Sequence, residues 1–431
     1  MNTNNVKVFK FGGASLQNVT SIRDVAHILK RYKGSPLFIV VSAMKGITNQ
    51  LEQVVASYLA KDGKTVELLE GIKKHHYETC NELFDEEHEI YTTLNDIFVE
   101  IEWILEEEPV DSYDFIYDQI VSIGEILSSS IVYAFLNESG FNIRFLDARD
   151  VIITDNIYRS ATVLWDETQS RCDKLVRPMF DENHFVISQG FIGCTSENFS
   201  TTLGREGSDY SAAIFAYCLN AESMSIWKDV PGVLTADPRL FDNVTKLDRM
   251  SYKEAIEMTY YGAKVIHPKT IKPLQNKSIP MYVKSFIDPN DEGTLISDDI
   301  EDTYPPLVAV EQNQALLQLS TLDFSFVAEH HLSFIFSLLA TLHIQVNLMQ
   351  NTAISFMICV HDKDGKVDQF VEKIQGNFKV VLDRGLELVT VRHYHGGILE
   401  SLKSGKIILI EERSARTAQL VMKDVPMVRR K

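Results

Sequence analysis

The chain has 431 residues, 45% of them hydrophobic, a composition that predicts a globular protein of about two or three domains. Its net charge of −18 argues against general nucleic-acid binding, because phosphate contacts require clustered lysine and arginine. No uninterrupted apolar run approaches the ~20 residues that span a membrane, and the first residues lack the apolar segment of a secretory signal. Five cysteines without CxxC spacing favour neither disulfides nor zinc, so we expect reduced thiols and a cytoplasmic location.

The N-terminal segment predicts an α/β domain. Residues 6–11 (VKVFKF) indicate a strand that ends at Gly12-Gly13, residues 21–33 a helix, and residues 37–42 a second, buried strand. Strand, glycine turn, helix and strand in succession are typical of a largely parallel sheet. Since ligands bind beyond the carboxyl ends of such strands, the segments KFGGAS and VVSAMKGITN are candidate parts of a site.

A long acidic segment follows. Residues 49–139 are mostly helical in pattern, and no lysine or arginine occurs from His75 to Ile143. We interpret residues 60–118 as a solvated helical hairpin. The next helix, SIGEILSSS, carries Glu125 in nearly uncharged surroundings, where a buried carboxylate without a partner is costly. Glu125 is therefore either a functional acid or a partly exposed helix carboxylate.

The segment TLGREGSDYSAA, residues 202–213, predicts a tight loop that delivers backbone amides to a helix N-terminus, an arrangement that favours anions. We expect the helix to span residues 211–219, with Ser208 or Asp209 as its N-cap. Arg205 is able to clamp a carboxylate through two parallel hydrogen bonds. Asp209, like Asp229 farther along, either caps a turn or serves a site.

The pattern changes after residue 300. A helix is predicted over residues 252–261, and the turn-rich segment DDIEDTYPP (298–306) indicates a boundary between domains at 1–302 and 303–431. Beyond it, helices are predicted at 332–342 and 367–374. The strand-like segments there are LVAVEQ, ALLQLST, IQVNLMQ, AISFMICV and FKVVLD. This texture predicts a small α+β fold.

The chain resembles the aspartate kinase family of the amino-acid kinase superfamily. The motifs that carry the resemblance occur in the family's order: KFGG, VVSAxxGITN, SIGE, TLGRxGSDYSAA, IWxDVPGVxTADPR and GAKVIHP. The implied fold is a largely parallel sheet sandwiched by helices, followed by an ACT-type regulatory region. Kinases of glutamate, acetylglutamate or UMP lack the GITN and SIGE pair in this arrangement.

The implied activity is Mg²⁺-dependent transfer of the ATP γ-phosphoryl group to the β-carboxylate of L-aspartate. The product, 4-phospho-L-aspartate, begins the route to lysine, threonine and methionine. An alternative is a catalytically inactive amino-acid sensor that keeps the fold. Against it, the lysines expected for phosphoryl transfer are all present.

The resemblance also implies roles for individual residues, and none is implied as a metal ligand. Lys10 would stabilise the transferring phosphoryl group, and Asp209 would organise the catalytic lysines. The aspartate pocket would comprise Ser42, Thr48, Glu125, Arg205 and Ser208. ATP would be held by Lys10, Phe11, Gly12, Gly13, Lys228, Asp229, Arg239, Lys264 and Val265.

The chain departs from the family pattern at four positions. Ala14 stands where the family usually has threonine, and Glu206 where it often has glycine. Lys228 replaces a small hydroxyl residue and Leu234 an aromatic one, so the ATP contacts are less determined than the aspartate pocket. Lys228 either contacts a phosphate or points to solvent.

The C-terminal region resembles the paired ACT units of the family. Residues 307–383 supply one complete unit, and the remainder supplies a shortened second unit of about three strands and one short helix. We expect a homodimer that assembles through residues beyond Pro306. The segment Ala328–His331 and Asn347 depart from the usual effector site, so lysine or threonine inhibition and insensitivity to both remain alternatives.

Overall fold

The computed structural model describes residues 5–263, 266–298, 300, 303–323 and 325–425. The chain divides into two compact units. The first comprises Met1–Val233, Lys246–Ile256 and Val265–Glu301, and the second comprises Leu234–Thr245, Glu257–Lys264 and Asp302–Lys431. The C-terminal unit thus takes in two short segments that precede it in the chain.

A largely parallel sheet forms the centre of the first unit. Its strands run in the order β3-β4-β2-β1-β7-β9-β10-β8, and β9 with β10 is the antiparallel pair. A separate hairpin joins β5 to β6. The strands are β1 (Lys7–Phe11), β2 (Leu37–Val41), β3 (Ile143–Leu146), β4 (Phe185–Gln189), β5 (Ile192–Cys194), β6 (Ser200–Thr202), β7 (Ser223–Lys228), β8 (Arg249–Ser251), β9 (Met281–Ser285) and β10 (Thr294–Ser297). The predicted parallel α/β architecture is confirmed.

Helices cover this sheet, which explains why a central strand such as β2 is buried along its whole length. The helices before residue 300 are α1 (Val19–Lys30), α2 (Ile47–Ala60), α3 (Thr65–Leu83), α4 (Ile90–Glu106), α5 (Tyr113–Val121), α6 (Ile123–Glu138), α7 (Trp165–Arg171), α8 (Met179–Glu182), α9 (Gly207–Leu219), α10 (Tyr252–Tyr260) and α11 (Pro268–Asn276). The acidic segment forms α3 and α4, which pack against each other. Helix α1 begins two residues before the predicted start because the Asn18 side chain caps it.

One helical stretch among the described residues, Tyr113–Glu138, is long and apolar enough to cross a membrane by length and composition alone. It includes α5 and α6, and 78% of its apolar window is buried inside the protein. Asp118 and Glu125 also interrupt it. These features are typical of a core helix.

The start of α9 differs from the prediction. The helix begins at Gly207, and its N-cap is Glu206, whose side chain makes no capping hydrogen bond. Ser208 and Asp209 lie in the first turn, so the prediction that one of them caps the helix was wrong. The reason lies in the backbone: Gly204 and Glu206 adopt φ values of 79° and 55°, which turn the chain early enough for the helix to start at Gly207.

The second unit contains a six-stranded antiparallel sheet in the order β12-β13-β11-β14-β16-β15. Its strands are β11 (Leu307–Thr321), β12 (Val346–Asn351), β13 (Ser355–His361), β14 (Phe378–Arg392), β15 (Lys406–Arg413) and β16 (Thr417–Asp424). Its helices are α12 (Glu329–Thr341), α13 (Lys366–Ile374) and α14 (Gly396–Lys403). This antiparallel α+β architecture is consistent with the predicted ACT-type region.

The strands LVAVEQ and ALLQLST, predicted as separate, are the two halves of one long strand, β11. A register shift between Glu311 and Gln314, with Asn313 at a φ of 56°, absorbs the irregularity between the halves. FKVVLD likewise continues into the second half of β14. Each half of this long strand pair has its own hydrophobic core, one lined by α12 and α13 and the other by α14.

Candidate active site

A cavity of about 630 Å³ lies at the carboxyl ends of strands β1 and β2. Every residue that lines it belongs to the first unit. It brings together Lys10, Ser42, Thr48, Glu125, Arg205, Ser208 and Asp209. The cavity thus contains all the positions predicted for the aspartate pocket, together with both positions predicted to be catalytic.

The parallel sheet explains this convergence. Lys10 is the penultimate residue of β1, and Ser42 follows directly after β2, which pairs with β1. Glu125 lies in the first turn of α6, while Ser208 and Asp209 lie in the first turn of α9. Strand ends and helix starts meet at one edge of such a sheet, so residues distant in sequence become neighbours.

Lys10 and Asp209 form a buried ion pair. Their Nζ and Oδ1 atoms are 2.6 Å apart, and the two residues are only 9% and 4% exposed. Burial opposes ionisation of Asp209, but the positive charges of Lys10 and Lys228 outweigh it and lower the pKa of the carboxyl group. Asp209 is therefore an anion that fixes the position of the Lys10 ammonium.

Glu125 is buried, with 3% of its surface exposed, so the alternative of a partly exposed helix carboxylate is wrong. Its Oε2 atom has no hydrogen-bond partner within the described part of the chain. Burial raises the pKa of Glu125 to about 8, against the opposing effects of backbone N–H groups and the Lys10 charge. A cation entering the cavity would favour the ionised form.

Close approach explains the glycine pair after β1. A Cβ atom on Gly13 would lie 3.1 Å from the Ala43 carbonyl oxygen, and one on Gly12 would lie 3.2 Å from Lys10 Nζ. Either side chain would crowd the end of β2 or the ammonium group. Phe11, by contrast, is buried and stacks on Trp227, so its side chain belongs to the core.

Sequence reasoning missed Arg159, which also lines the cavity. Its guanidinium lies 4.6 Å from the centre of the Tyr117 ring and 3.3 Å from the Asp114 carboxylate. Its backbone N–H donates to the buried Asp118 carboxylate at 2.9 Å. No local motif marks Arg159, because a tertiary hydrogen bond to a distant helix places it at the cavity.

Asp118 fastens two segments beside the cavity. Besides the Arg159 N–H, it accepts hydrogen bonds from the backbone N–H and the hydroxyl of Thr202, at 2.8 and 2.7 Å. Burial raises the pKa of Asp118 to about 6 even though these bonds favour the charged form. Asp118 therefore joins the Arg159 loop to β6, and its role is to position other residues.

Unlike the residues predicted for the aspartate pocket, the residues predicted for ATP do not all line the cavity. Lys228 ends β7 beside β1, and its charge acts on Asp209, with Asp229 next in sequence. Arg239 belongs to the second unit, where its largely exposed side chain pairs with Asp237 at 2.6 Å. Lys264 and Val265 lie outside the described residues.

Comparison with known proteins identifies the family. Residues 5–285 match the amino acid kinase family. Over 404 residues the chain is 31% identical to lysine-sensitive aspartokinase 3 of Escherichia coli, covering 90% of this chain and 86% of that protein. The chain belongs to the aspartokinases of the amino acid kinase family. The family predicted from the motifs is therefore confirmed.

Two further proteins are similar to the chain, one in sequence and one in structure. The chain is 32% identical over 301 residues to a chloroplastic bifunctional aspartokinase/homoserine dehydrogenase 1 of Arabidopsis thaliana, covering 68% of this chain and 33% of that protein. It therefore spans about a third of that plant relative's length. The structure is similar to Escherichia coli aspartokinase III in complex with aspartate and ADP, with a TM-score of 0.81 and 28% identity over 97% of this chain and 96% of that one.

Proposed function

We propose that the chain transfers the γ-phosphoryl group of ATP to the β-carboxylate of L-aspartate and so makes 4-phospho-L-aspartate. The observation that carries the proposal is the composition of one cavity: a buried acid, an arginine and a buried lysine face the same space. These charges complement a small amino acid with two carboxylates and one ammonium group. The aspartate and ADP in the similar Escherichia coli structure support the same substrates.

The residues suit this chemistry. The β-carboxylate of aspartate has a reference pKa near ~3.9 and is ionised at neutral pH, so no general base is required. The difficulty is the repulsion between two anions and the charge on a loosely bound phosphoryl group. Lys10, held by Asp209 at 2.6 Å, supplies a fixed positive charge for that group.

The substrate-binding groups divide by charge. We assign the α-ammonium group of aspartate to Glu125, whose Oε2 atom has no partner within the described residues. We assign a carboxylate to Arg205, which is able to make two parallel hydrogen bonds. The hydroxyl groups of Ser42, Thr48 and Ser208 are available for the remaining polar contacts.

We assign the nucleotide to the residues of the first unit that the motifs predict and the structure describes: Lys10, Phe11, Gly12, Gly13, Lys228 and Asp229. The roles of Arg239, Lys264 and Val265 stay predictions. Across the described residues, no group of three or more His, Cys, Asp or Glu side chains is arranged to hold a metal ion. Mg²⁺ commonly binds through substrate phosphates, so we propose that it enters as the MgATP complex and offsets the charge of the phosphates.

A coupled ATPase assay with hydroxylamine trapping of the acyl phosphate tests the activity. We expect a hydroxamate that depends on L-aspartate, ATP and Mg²⁺ together. Binding of aspartate without formation of hydroxamate would instead support the inactive amino-acid sensor. Omission of aspartate is the control, because it separates acyl phosphate formation from ATP hydrolysis.

We propose that the second unit mediates a homodimer and binds an amino-acid effector, and that the enzyme works in the cytoplasm on the route to lysine, threonine and methionine. Phe334 and Phe336 on α12 and Met349 on the edge strand β12 are exposed apolar residues that support an interface.

The effector proposal is supported by lysine in a second structure of Escherichia coli aspartokinase III, 28% identical to this chain. The cytoplasmic location is supported by five buried, free cysteines.

Light scattering tests the dimer. Truncation near residue 302 is unsuitable, because segments 234–245 and 257–264 would lose the unit with which they fold. We expect the double variant Phe334→Glu/Phe336→Glu to be monomeric, while Trp103→Glu, a control at an exposed apolar residue of the first unit, keeps the wild-type mass. A double variant with an unchanged mass would refute the interface on α12. Calorimetric titration with lysine and with threonine tests the effector.

A further inference from the structure

Glu206 has two unfavourable features at one position. Its backbone φ of 55° lies in the left-handed region, where a side chain other than that of glycine is strained. Its Oε2 atom is buried, and it has no hydrogen-bond partner in the part of the chain that the structure describes. Both features oppose folding, and Glu206 lines the substrate cavity.

Most of the other charged residues that line the cavity already have partners within the protein. Lys10 is paired with Asp209, Arg159 is paired with Asp114, and Lys45 donates to Gln17. Arg205 has neither an ion pair nor a hydrogen bond among the described residues. The adjacent residues Arg205 and Glu206 thus offer one uncompensated cation and one uncompensated anion.

Glu125 alone provides little negative charge for an ammonium group, so a second carboxylate would strengthen its binding. Burial raises the pKa of Glu125 to about 8, so this carboxyl group is mostly protonated in the empty cavity at neutral pH. Glu125 also lines this cavity, and its buried side chain has an oxygen without a hydrogen-bond partner among the described residues. An ammonium group has three N–H donors and is able to bind two carboxylates at once.

We infer that Arg205 and Glu206 together recognise the α-amino acid end of the substrate, with Arg205 binding its carboxylate and Glu206 sharing its ammonium group with Glu125. This inference rests on the proposed function and names a further specificity-determining residue for it. The consequence is selection against dicarboxylates that lack the ammonium group, because Glu206 would then repel them.

A structural role for Glu206 would work through His267. Burial lowers the pKa of His267. The negative charge of Glu206 opposes this shift and the positive charge of Arg205 adds to it, so Glu206 and Arg205 both lie near the His267 imidazole. His267 caps α11 by accepting the Lys269 N–H at 3.2 Å. If Glu206 served only to support this cap, its replacement would affect all ligands of the cavity alike.

The variants Glu206→Gln and Glu206→Gly test the inference, with Ser278→Gly as the matched control. Ser278 is exposed, has a φ of 51° and belongs to the same unit, but it does not line the cavity. We expect both Glu206 variants to raise KM for L-aspartate about tenfold or more, with KM for ATP changed less than twofold. The inhibition constant of succinate, which lacks the ammonium group, should stay constant or fall.

Melting temperature provides the second readout. Without ligands, Glu206→Gly and Ser278→Gly should each raise Tm by about 2 °C, because glycine relieves the left-handed strain. Only Glu206→Gly should also weaken aspartate binding. Unchanged KM for aspartate in both Glu206 variants overturns the inference, and so does an equal loss of affinity for aspartate and succinate.

Calorimetric binding of L-aspartate separates this inference from the proposed activity. A wild-type protein that binds aspartate but forms no hydroxamate refutes the activity, and the dissociation constants of the variants then replace KM. A wild-type protein that binds no aspartate refutes both.

Discussion

Two buried charged side chains, Glu125 in the first unit and Arg392 in the second, differ in their pairing. In the first unit, Glu125 is 3% exposed, and its Oε2 atom has no partner among the described residues. In the second unit, Arg392 is 6% exposed, and it donates to the Glu257 carboxylate and the Thr417 hydroxyl, both at 3.0 Å. Since a buried polar group without a partner is costly, the unpartnered Glu125 oxygen indicates a ligand, whereas the pairing of Arg392 is accounted for within the fold.

The sheets explain where each arrangement occurs. The parallel strands β1 and β2 end at the same edge, where the first turns of α6 and α9 also lie, so polar groups gather around one cavity. The antiparallel sheet of the second unit sends successive strand ends to opposite edges. Its long strands therefore provide surfaces and cores, and its buried arginine stabilises the unit.

The largest effect is expected from Lys10→Ala. Removal of the ammonium group that faces the transferring phosphoryl group should lower kcat about 10³-fold and change both KM values little. Lys7→Ala is the matched control, since Lys7 lies on the same strand but pairs with Glu222 at 3.6 Å, away from the cavity. Steady-state kinetics measure both variants. A Lys10 variant that raised KM and kept kcat would show that this lysine binds substrate only.

The next effect concerns Glu125 and pH. Its pKa of about 8 predicts that KM for aspartate falls more than tenfold between pH 6 and pH 8, as the carboxyl group ionises and becomes able to bind the ammonium. Glu125→Gln should weaken aspartate binding far more than ATP binding and should flatten this dependence. A wild-type KM that is constant over this range would contradict the assignment.

The same shift affects stability with a defined sign. The folded-state pKa lies above the unfolded value, so the contribution of Glu125 is fully present below about pH 4.5 and is lost as pH rises through about 8. Urea unfolding should therefore show that Glu125→Gln gains stability relative to wild type on the alkaline side. An alkaline loss in the variant would contradict this sign.

The smallest catalytic effect is expected from Arg392→Met. Loss of its ion pair should lower the free energy of unfolding by about 1–2 kcal/mol, a modest cost because Glu257 is partly exposed. Both kcat and KM should stay within twofold of wild type. Arg413→Met, at an exposed pair with Glu411, is the control and should change stability by less than about 0.5 kcal/mol. A large rise in KM for aspartate in the Arg392 variant would break the contrast between the units.

Sequence reasoning succeeded where the signal is local. Continuous apolar residues indicated β1 and β2, and the start of α13 at Lys366 lies one residue from its predicted position. It failed at the start of α9, because the left-handed backbone at Glu206 has no marker in a residue type that usually avoids it. It also divided β11, because polar residues at its register shift resemble a turn.

The sequence by itself determined the family, the largely parallel sheet of the first region, the α+β class of the second and, through the family resemblance, the predicted residues of the candidate aspartate pocket. These follow from periodicity and from motifs in which neighbouring residues act together. Only the tertiary structure decided that Glu125 is buried with an unpartnered oxygen, that Arg159 reaches the cavity, and that Glu206 adds a second acid there. Burial, pairing and pKa depend on groups that are distant along the chain, and no local pattern specifies them.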